Sequence, residues 1–278
     1  MSSRKKDHLA KELSEMLEDS EPDEIIETAL MYFDVSAVFV GFSGGFDSLV
    51  TTHWMMNNVL NCKVFHANTG IGIERTREFI RDTCRVNNWP LTEIRAKEDC
   101  GQDYDQLVLE HGFPGPGHHY KMFQRLKERA VWKLLKDNKQ KHFDNVMLAT
   151  GIRKDESQRR SGYKYTVIDF MGNLMWINPF YYKTRSWFSE YIKKHNLQQN
   201  PISELLGMSG ECLCGAYAHQ GELNLIKMVC PETYERIKIL EEKVRKVGHD
   251  WGWEDKPSKK KKDKSKEKFM PFCVGCEK

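Results

Sequence analysis

The sequence predicts an α/β protein: an open, mostly parallel sheet with helices on both faces, followed by a cysteine-rich segment that binds a metal. Three observations carry this. Apolar runs of strand length alternate with segments of helical periodicity through the first 150 residues. The first of these runs ends in a serine–glycine turn that opens a helix. Five of the eight cysteines, Cys212, Cys214, Cys230, Cys273 and Cys276, fall in the final quarter.

The elements follow in order. The N-terminus, MSSRKKDHLAKELSEMLEDSEPDE, reads as one amphipathic helix with a charged face. Ala37–Phe42 is an apolar run of strand length, and a helix opens at Asp47 or Ser48 and continues through Met56. Cys62–Ala67 is the second strand. A helix over 74–88 has apolar positions at Phe79, Ile80, Cys84 and Val86, and Pro90–Arg95 gives a third, short strand. Residues 119–137 carry Phe123, Leu126, Ala130, Val131 and Leu134 at helical spacing. Asn145–Thr150 is the fourth strand and ends in Gly151. Tyr163–Phe170 and Leu174–Ile177 read as a hairpin turning near Gly172. Helices are expected over 184–195, 222–228 and 232–247, the last with Pro231 just before it. The expected divisions are an N-terminal helical segment (1–34), a nucleotide-binding domain (35–200), a helical extension with a cysteine pair (201–250), and a lysine-rich linker with a terminal Cys-x2-Cys (251–278).

Composition narrows the class. At 278 residues with 40% hydrophobic and 30% charged residues, the chain can bury a sizeable core and stay in water. It contains no apolar run of membrane-spanning length, and its N-terminus lacks the apolar centre of a secretory signal, so a cytoplasmic protein without membrane contact is expected. The net charge of +3 hides an asymmetry: residues 256–268 hold eight lysines against Asp263 and Glu267. This tract reads as a solvated linker with at most a weak nucleic-acid contact, because the rest of the chain is slightly acidic.

Chemistry concentrates at four places. Ser43-Gly44-Gly45-Phe46-Asp47-Ser48 joins a strand to a helix N-terminus through two glycines. Close backbone approach, outward amides and the helix dipole make such a turn an anion site, with Ser43 and Ser48 adding hydroxyls. Asn68 ends the second strand, where open sheets bind ligands. Gly151-Ile152-Arg153-Lys154-Asp155-Glu156-Ser157-Gln158-Arg159-Arg160 follows the fourth strand. Its guanidinium groups suit bidentate contact with phosphate or sulfate, and Arg153 and Arg160 are the chief anion ligands expected. Asp155 and Glu156 hold either the arginines or a magnesium ion. In a chain with no secretory signal, the pairs Cys212-x-Cys214 and Cys273-x2-Cys276 look like two halves of one four-thiolate site, open to zinc or a 4Fe–4S cluster. Cys62, Cys84 and Cys100 read as small buried hydrophobes.

The hexapeptide resembles the SGGxDS signature of the PP-loop ATP pyrophosphatases, a superfamily that includes the phosphoadenylyl-sulfate (PAPS) reductases. Residues 151–160 resemble the Gly-Ile-Arg-x-Asp-Glu-Ser-x-x-Arg motif of the PAPS-reductase branch, and the likeness spans roughly residues 36–247. It implies a Rossmann-like, adenine nucleotide alpha-hydrolase-like fold with Ser43, Gly44, Gly45, Asp47, Ser48, Asn68, Gly151 and Arg153 around the nucleotide. Asp47, Arg153 and Arg160 become the catalytic candidates. Asn68 stands where an acidic residue is common in the family. Thioredoxin-dependent PAPS reductases carry a Glu-Cys-Gly-Leu-His tail, and this chain has no such pentapeptide.

Three functions follow. The leading one is ATP-dependent adenylation and sulfur transfer to an unidentified acceptor, using ATP, Mg2+ and a metal centre on Cys212, Cys214, Cys273 and Cys276. The resemblance favours iron–sulfur there, with Zn2+ as the alternative, and implies a sulfur or electron donor protein. The second is a sulfonucleotide reductase acting on PAPS or adenylyl sulfate. The third is a non-catalytic nucleotide- and metal-binding partner protein.

Overall fold

The computed structural model describes residues 3–141, 144–156 and 167–255. Arg159, Arg160, Cys273, Cys276, the lysine-rich tract 256–268 and the start of the expected hairpin (163–166) lie outside the described residues.

Helices α1 (Ser3–Met16) and α2 (Pro22–Tyr32) precede strand β1 (Val35–Gly41), helix α3 (Phe46–Asn58), strand β2 (Cys62–Asn68), helix α4 (Glu74–Val86) and strand β3 (Leu91–Arg95). Helices α5 (Tyr104–His111), α6 (His119–Phe123) and α7 (Arg129–Asn138) lead to β4 (Asn145–Ala149), β5 (Ile168–Met171) and β6 (Leu174–Ile177). Then come α8 (Arg185–Lys194), α9 (Pro201–Leu206), α10 (Glu222–Val229) and α11 (Pro231–Lys246).

The strands form one six-stranded sheet in the order β3-β2-β1-β4-β6-β5. β1 pairs in parallel with β2 and with β4, β4 pairs in parallel with β6, and only β5 runs antiparallel. The chain builds outward from β1 through β2 to β3, then returns to place β4 on the other side of β1. Because crossovers between parallel strands are right-handed, this reversal puts the connecting helices on opposite faces. β4 is buried along its whole length, as a central parallel strand covered on both faces must be. No helix among the described residues is long and apolar enough to cross a membrane.

Two compact units share the chain. The first comprises Met1–His66, Ile80–Glu93 and Trp132–Gln199, and the second Ala67–Phe79, Ile94–Val131 and Asn200–Lys278. In the first, Phe39, Val40, Val64, Phe65, Met147 and Leu148 form the sheet's buried layer. In the second, Ile73, Val108, Leu126, Leu206, Ile226 and Val244 lie in one core.

Three elements differ from expectation. The N-terminal helix is two helices, because Asp19 takes a left-handed conformation (φ 62°) and Pro22 starts a new helix. Helix α5 was not expected, although its cap signals are present: Asp103 accepts from the Asp105 amide, and Gly112 (φ 75°) ends it. The helix expected over 119–137 forms but is interrupted by a π-helical stretch, Gln124–Glu128.

Candidate functional site

β1 and β4 lie side by side in register, Val40 beside Ala149, so the segments leaving their carboxyl ends leave together. In open α/β sheets the crevice at this reversal of strand order is where ligands bind. The hexapeptide follows β1 and the arginine motif follows β4.

Helix α3 starts at Phe46, with Gly45 as its cap residue, so the amides of Phe46, Asp47 and Ser48 have no intrahelical carbonyl. Gly44 has φ 74°, a conformation that glycine adopts without steric cost. Ser48 fixes the turn: its hydroxyl donates to the Gly45 carbonyl (2.9 Å), accepts from the Ser43 amide (3.3 Å) and lies 3.1 Å from Ser43 Oγ. Residues 43–48 therefore form a braced turn at a positive helix end.

Asp47 is the second residue of the helix rather than its cap. Arg153 Nε donates to Asp47 Oδ1 (3.0 Å) and Nη2 to Oδ2 (3.2 Å), a bidentate pair with both side chains at least nine-tenths buried. The Arg153 guanidinium also lies 5.3 Å from the Phe188 ring centre. This pairing has an electrostatic consequence: an unpaired carboxylate at the helix start would repel phosphate, and Arg153 neutralises it. Gly151 makes the approach possible, since a Cβ there would lie 2.9 Å from the Asp47 carbonyl oxygen and from Thr51 Oγ1. Lys154 and Asp155 are exposed beyond it. Thus Ser43, Gly44, Gly45, Asp47, Ser48, Gly151 and Arg153 come together in the first unit, and Arg160 lies outside the described residues.

Asn68, Cys212 and Cys214 belong to the second unit. Asn68 is buried, and its Oδ1 accepts from the Gly70 amide at 2.9 Å, shaping the turn after β2. Cys212 is half-buried and Cys214 buried, and both line one pocket with Tyr217, His219 and Trp253. The Tyr104 hydroxyl donates to the Cys214 carbonyl (3.0 Å), and Trp253 Nε1 donates to the Leu213 carbonyl (2.8 Å). Gly215 (φ 78°) is needed there, because a Cβ would meet the Trp253 ring at 2.9 Å. Among the described residues no three metal-ligating side chains converge. Cys212 and Cys214 are two of the four thiols expected to bind a metal, and the other two, Cys273 and Cys276, lie outside the described residues. Burial pushes the thiols of Cys62 and Cys84 up to about 12, which suits packing rather than chemistry. Cys100 is half-buried rather than fully buried.

Sequence reasoning missed the Asp47–Arg153 pair and the role of Glu211, a buried carboxylate next to Cys212. Asp47 and Arg153 each stand inside a motif and Glu211 stands beside Cys212, but no local signal identifies a partner so distant in sequence.

A sequence model of the phosphoadenosine phosphosulfate reductase domain matches residues 37–206, more than half of the chain. The chain belongs to the phosphoadenosine phosphosulfate reductase domain family. The match covers the hexapeptide, Asn68 and the arginine motif, and ends before the cysteine pair. No curated protein matches the chain. Among solved structures it is similar to phosphoadenylyl-sulfate reductase from Candida auris in a phosphate complex. The TM-score is 0.54 at 15% identity, covering 74% of this chain and 92% of that one. An NH3-dependent NAD synthetase from Campylobacter jejuni subsp. jejuni is similar at TM-score 0.47 and 16% identity, covering 85% and 93%. U34-tRNA thiolase NcsA from Methanococcus maripaludis, with its 4Fe–4S cluster, is similar at TM-score 0.45 and 14% identity, covering 82% and 78%. The Candida auris likeness supports the fold.

Proposed function

We propose that this PAPS-reductase-family chain is an enzyme that binds ATP at residues 43–48 and adenylates an acceptor for sulfur transfer. The observation that carries the reading is the braced turn at the start of α3, facing the same strand ends as Gly151 and Arg153. In this reaction the acceptor attacks the α-phosphorus, the bond between the α and β phosphates breaks, and pyrophosphate leaves. The amides of residues 45–48 and the hydroxyl of Ser43 take up the charge on the pyrophosphate, while Ser48, whose proton goes to the Gly45 carbonyl, holds the turn in shape. Arg153 keeps Asp47 neutralised, so that the pair brings no net negative charge to the transferring group, and Arg160 is the cation there. Asn68 is the nucleotide ligand proposed at the end of β2, and Asp155 or Glu156 would hold a Mg2+ ion, which would supply positive charge to the phosphates.

Cys212 and Cys214, with Cys273 and Cys276, would hold a metal centre. Zinc would tie the tail down, whereas an iron–sulfur cluster would also handle sulfur or electrons. A cytoplasmic location and a sulfur or electron donor protein go with this reading. So do the divisions 1–34, 35–200, 201–250 and 251–278.

The family match favours a second reading, reduction of PAPS or adenylyl sulfate. One experiment separates the two in anaerobically purified protein: pyrophosphate release from ATP is expected, and sulfite release from PAPS or adenylyl sulfate would replace adenylation by reduction. If Gly44→Val binds both nucleotides as tightly as the wild type by calorimetry, the loop is not the nucleotide site and both readings fail.

A further inference from the structure

In the second unit, the turn after β2 and the loop before the cysteine pair are joined by a dense set of buried bonds. Glu211 is 2% exposed. Its Oε1 accepts from the Thr69 amide at 2.9 Å, and its Oε2 accepts from Arg77 Nε at 3.3 Å. The Thr69 hydroxyl lies 2.7 Å from the Glu211 carbonyl oxygen and 3.0 Å from Glu211 Oε1, so its one proton binds the segment from either side. Arg77 is itself buried and also donates to Glu74 Oε2 at 3.0 Å.

Backbone contacts follow the same line. The Ile73 amide donates to the Gly210 carbonyl at 2.8 Å, and Thr76 Oγ1 donates to the Ser209 carbonyl at 2.9 Å. A Cβ at Gly72 would lie 2.5 Å from the Glu211 carbonyl oxygen, so a side chain there would push the two segments apart. From the other side, Arg236 donates to the carbonyls of Gly70 and Ile71.

A buried carboxylate is expensive to keep and specific in where it can sit, because every lone pair needs a donor. Here the donors come from the residue that follows Asn68 and from α4, and the carboxylate belongs to the residue before Cys212. We infer that Glu211 is a positioning residue: clamped by Thr69 and Arg77, it fixes the Cys212–Cys214 loop to the nucleotide end of β2. The places of Asn68 and of the thiols are thereby set together. The inference rests on the reading of Asn68 and Cys212 as ligands, but its mechanical core concerns only the held loop.

The test uses the full chain, reduced and freed of metal by chelation, and follows alkylation of each cysteine by iodoacetamide with mass spectrometry. Thr69→Val, which removes the hydroxyl at nearly constant volume, and Glu211→Gln should speed alkylation of buried Cys214 at least about tenfold, through local opening of the loop. Cys62 and Cys84, buried in the first unit, should stay at the wild-type rate, which separates loop release from general unfolding. Thr69→Ser should restore protection. In anaerobically purified protein the same two variants should lose metal and bind ATP more weakly, while Thr69→Ser keeps both. Unchanged Cys214 protection in both variants would overturn the clamp, as would a rise shared equally by Cys62 and Cys84. A wild type that binds neither metal nor ATP, with Cys214 still unmasked in the variants, would sink the proposed function and leave the clamp standing.

Discussion

Asp47 and Arg153 stand 106 residues apart and meet as a bidentate, buried ion pair. Removing one partner from such a pair strands a charge in a poorly hydrated place, which costs far more than the pair's net contribution. Arg153→Ala should therefore destabilise the protein by about 3–5 kcal/mol in urea unfolding. Asp47→Asn on that background should recover part of the loss, because the stranded carboxylate is gone. Lysine at 153 keeps the charge without the planar fork and should restore stability only partly. Additive losses in the double variant would show that the two side chains do not depend on each other. ATP affinity measured on the same set separates structure from binding. A direct anion contact predicts that Arg153→Ala/Asp47→Asn still binds weakly after its stability recovers, whereas a purely structural arginine predicts recovery of both.

At the scale of elements, the sheet's far edge is covered by α1 through two polar residues. Ser14 Oγ donates to the Ala10 carbonyl (2.7 Å) and accepts from the Ile168 amide (3.0 Å), taking up an edge group of β5. Lys6 Nζ donates to Asn145 Oδ1 (2.9 Å) and reaches the Gly172 carbonyl and Asn173 Oδ1 (both 3.4 Å), where the β5–β6 turn meets the start of β4. Lys6→Met should cost about 1–3 kcal/mol, because it leaves buried acceptors without a donor. Burial lowers the Lys6 amine from its ordinary 10.5. Between the lowered value and 10.5 the unfolded chain binds more protons than the folded one, so stability from this group rises with pH in that window. The wild type should accordingly gain on Lys6→Met as pH climbs towards 10.5. A gap that narrows over that range would contradict the assignment.

The whole molecule is two compact units threaded by one chain that crosses between them several times. The second unit takes Ala67–Phe79 and Ile94–Val131 from before β4 and completes them with residues after Asn200. Ile73, Val108 and Leu126 share a core with Leu206, Ile226 and Val244. A protein ended at residue 199 should thus keep the 43–48 turn while residues 94–131 lose half of their core. We expect broad, non-cooperative melting by calorimetry and early protease cleavage within 94–131. One sharp transition at the full-length temperature would show that the early segments form their unit without the later ones.

The sequence by itself determined the alternation of strands and helices around β1 to β4, the turn at 43–48, and the placing of Gly151 and Arg153 at a strand end. These are local matters: an apolar run, a glycine pair and a helical period each act within a few residues. It also carried the family, since the motifs are contiguous in the chain. The break at Asp19 and the helix after Asp103 were partly legible in their cap residues, but short elements give too few turns for a period to stand out. Only the tertiary structure decided which charge Arg153 meets, why Gly151 must be glycine, and how Glu211, 142 residues from Thr69, anchors the cysteine loop. A buried charge is tolerable only with a matched partner, and partners so far apart in sequence become neighbours only when the sheet and its flanking helices have closed around them.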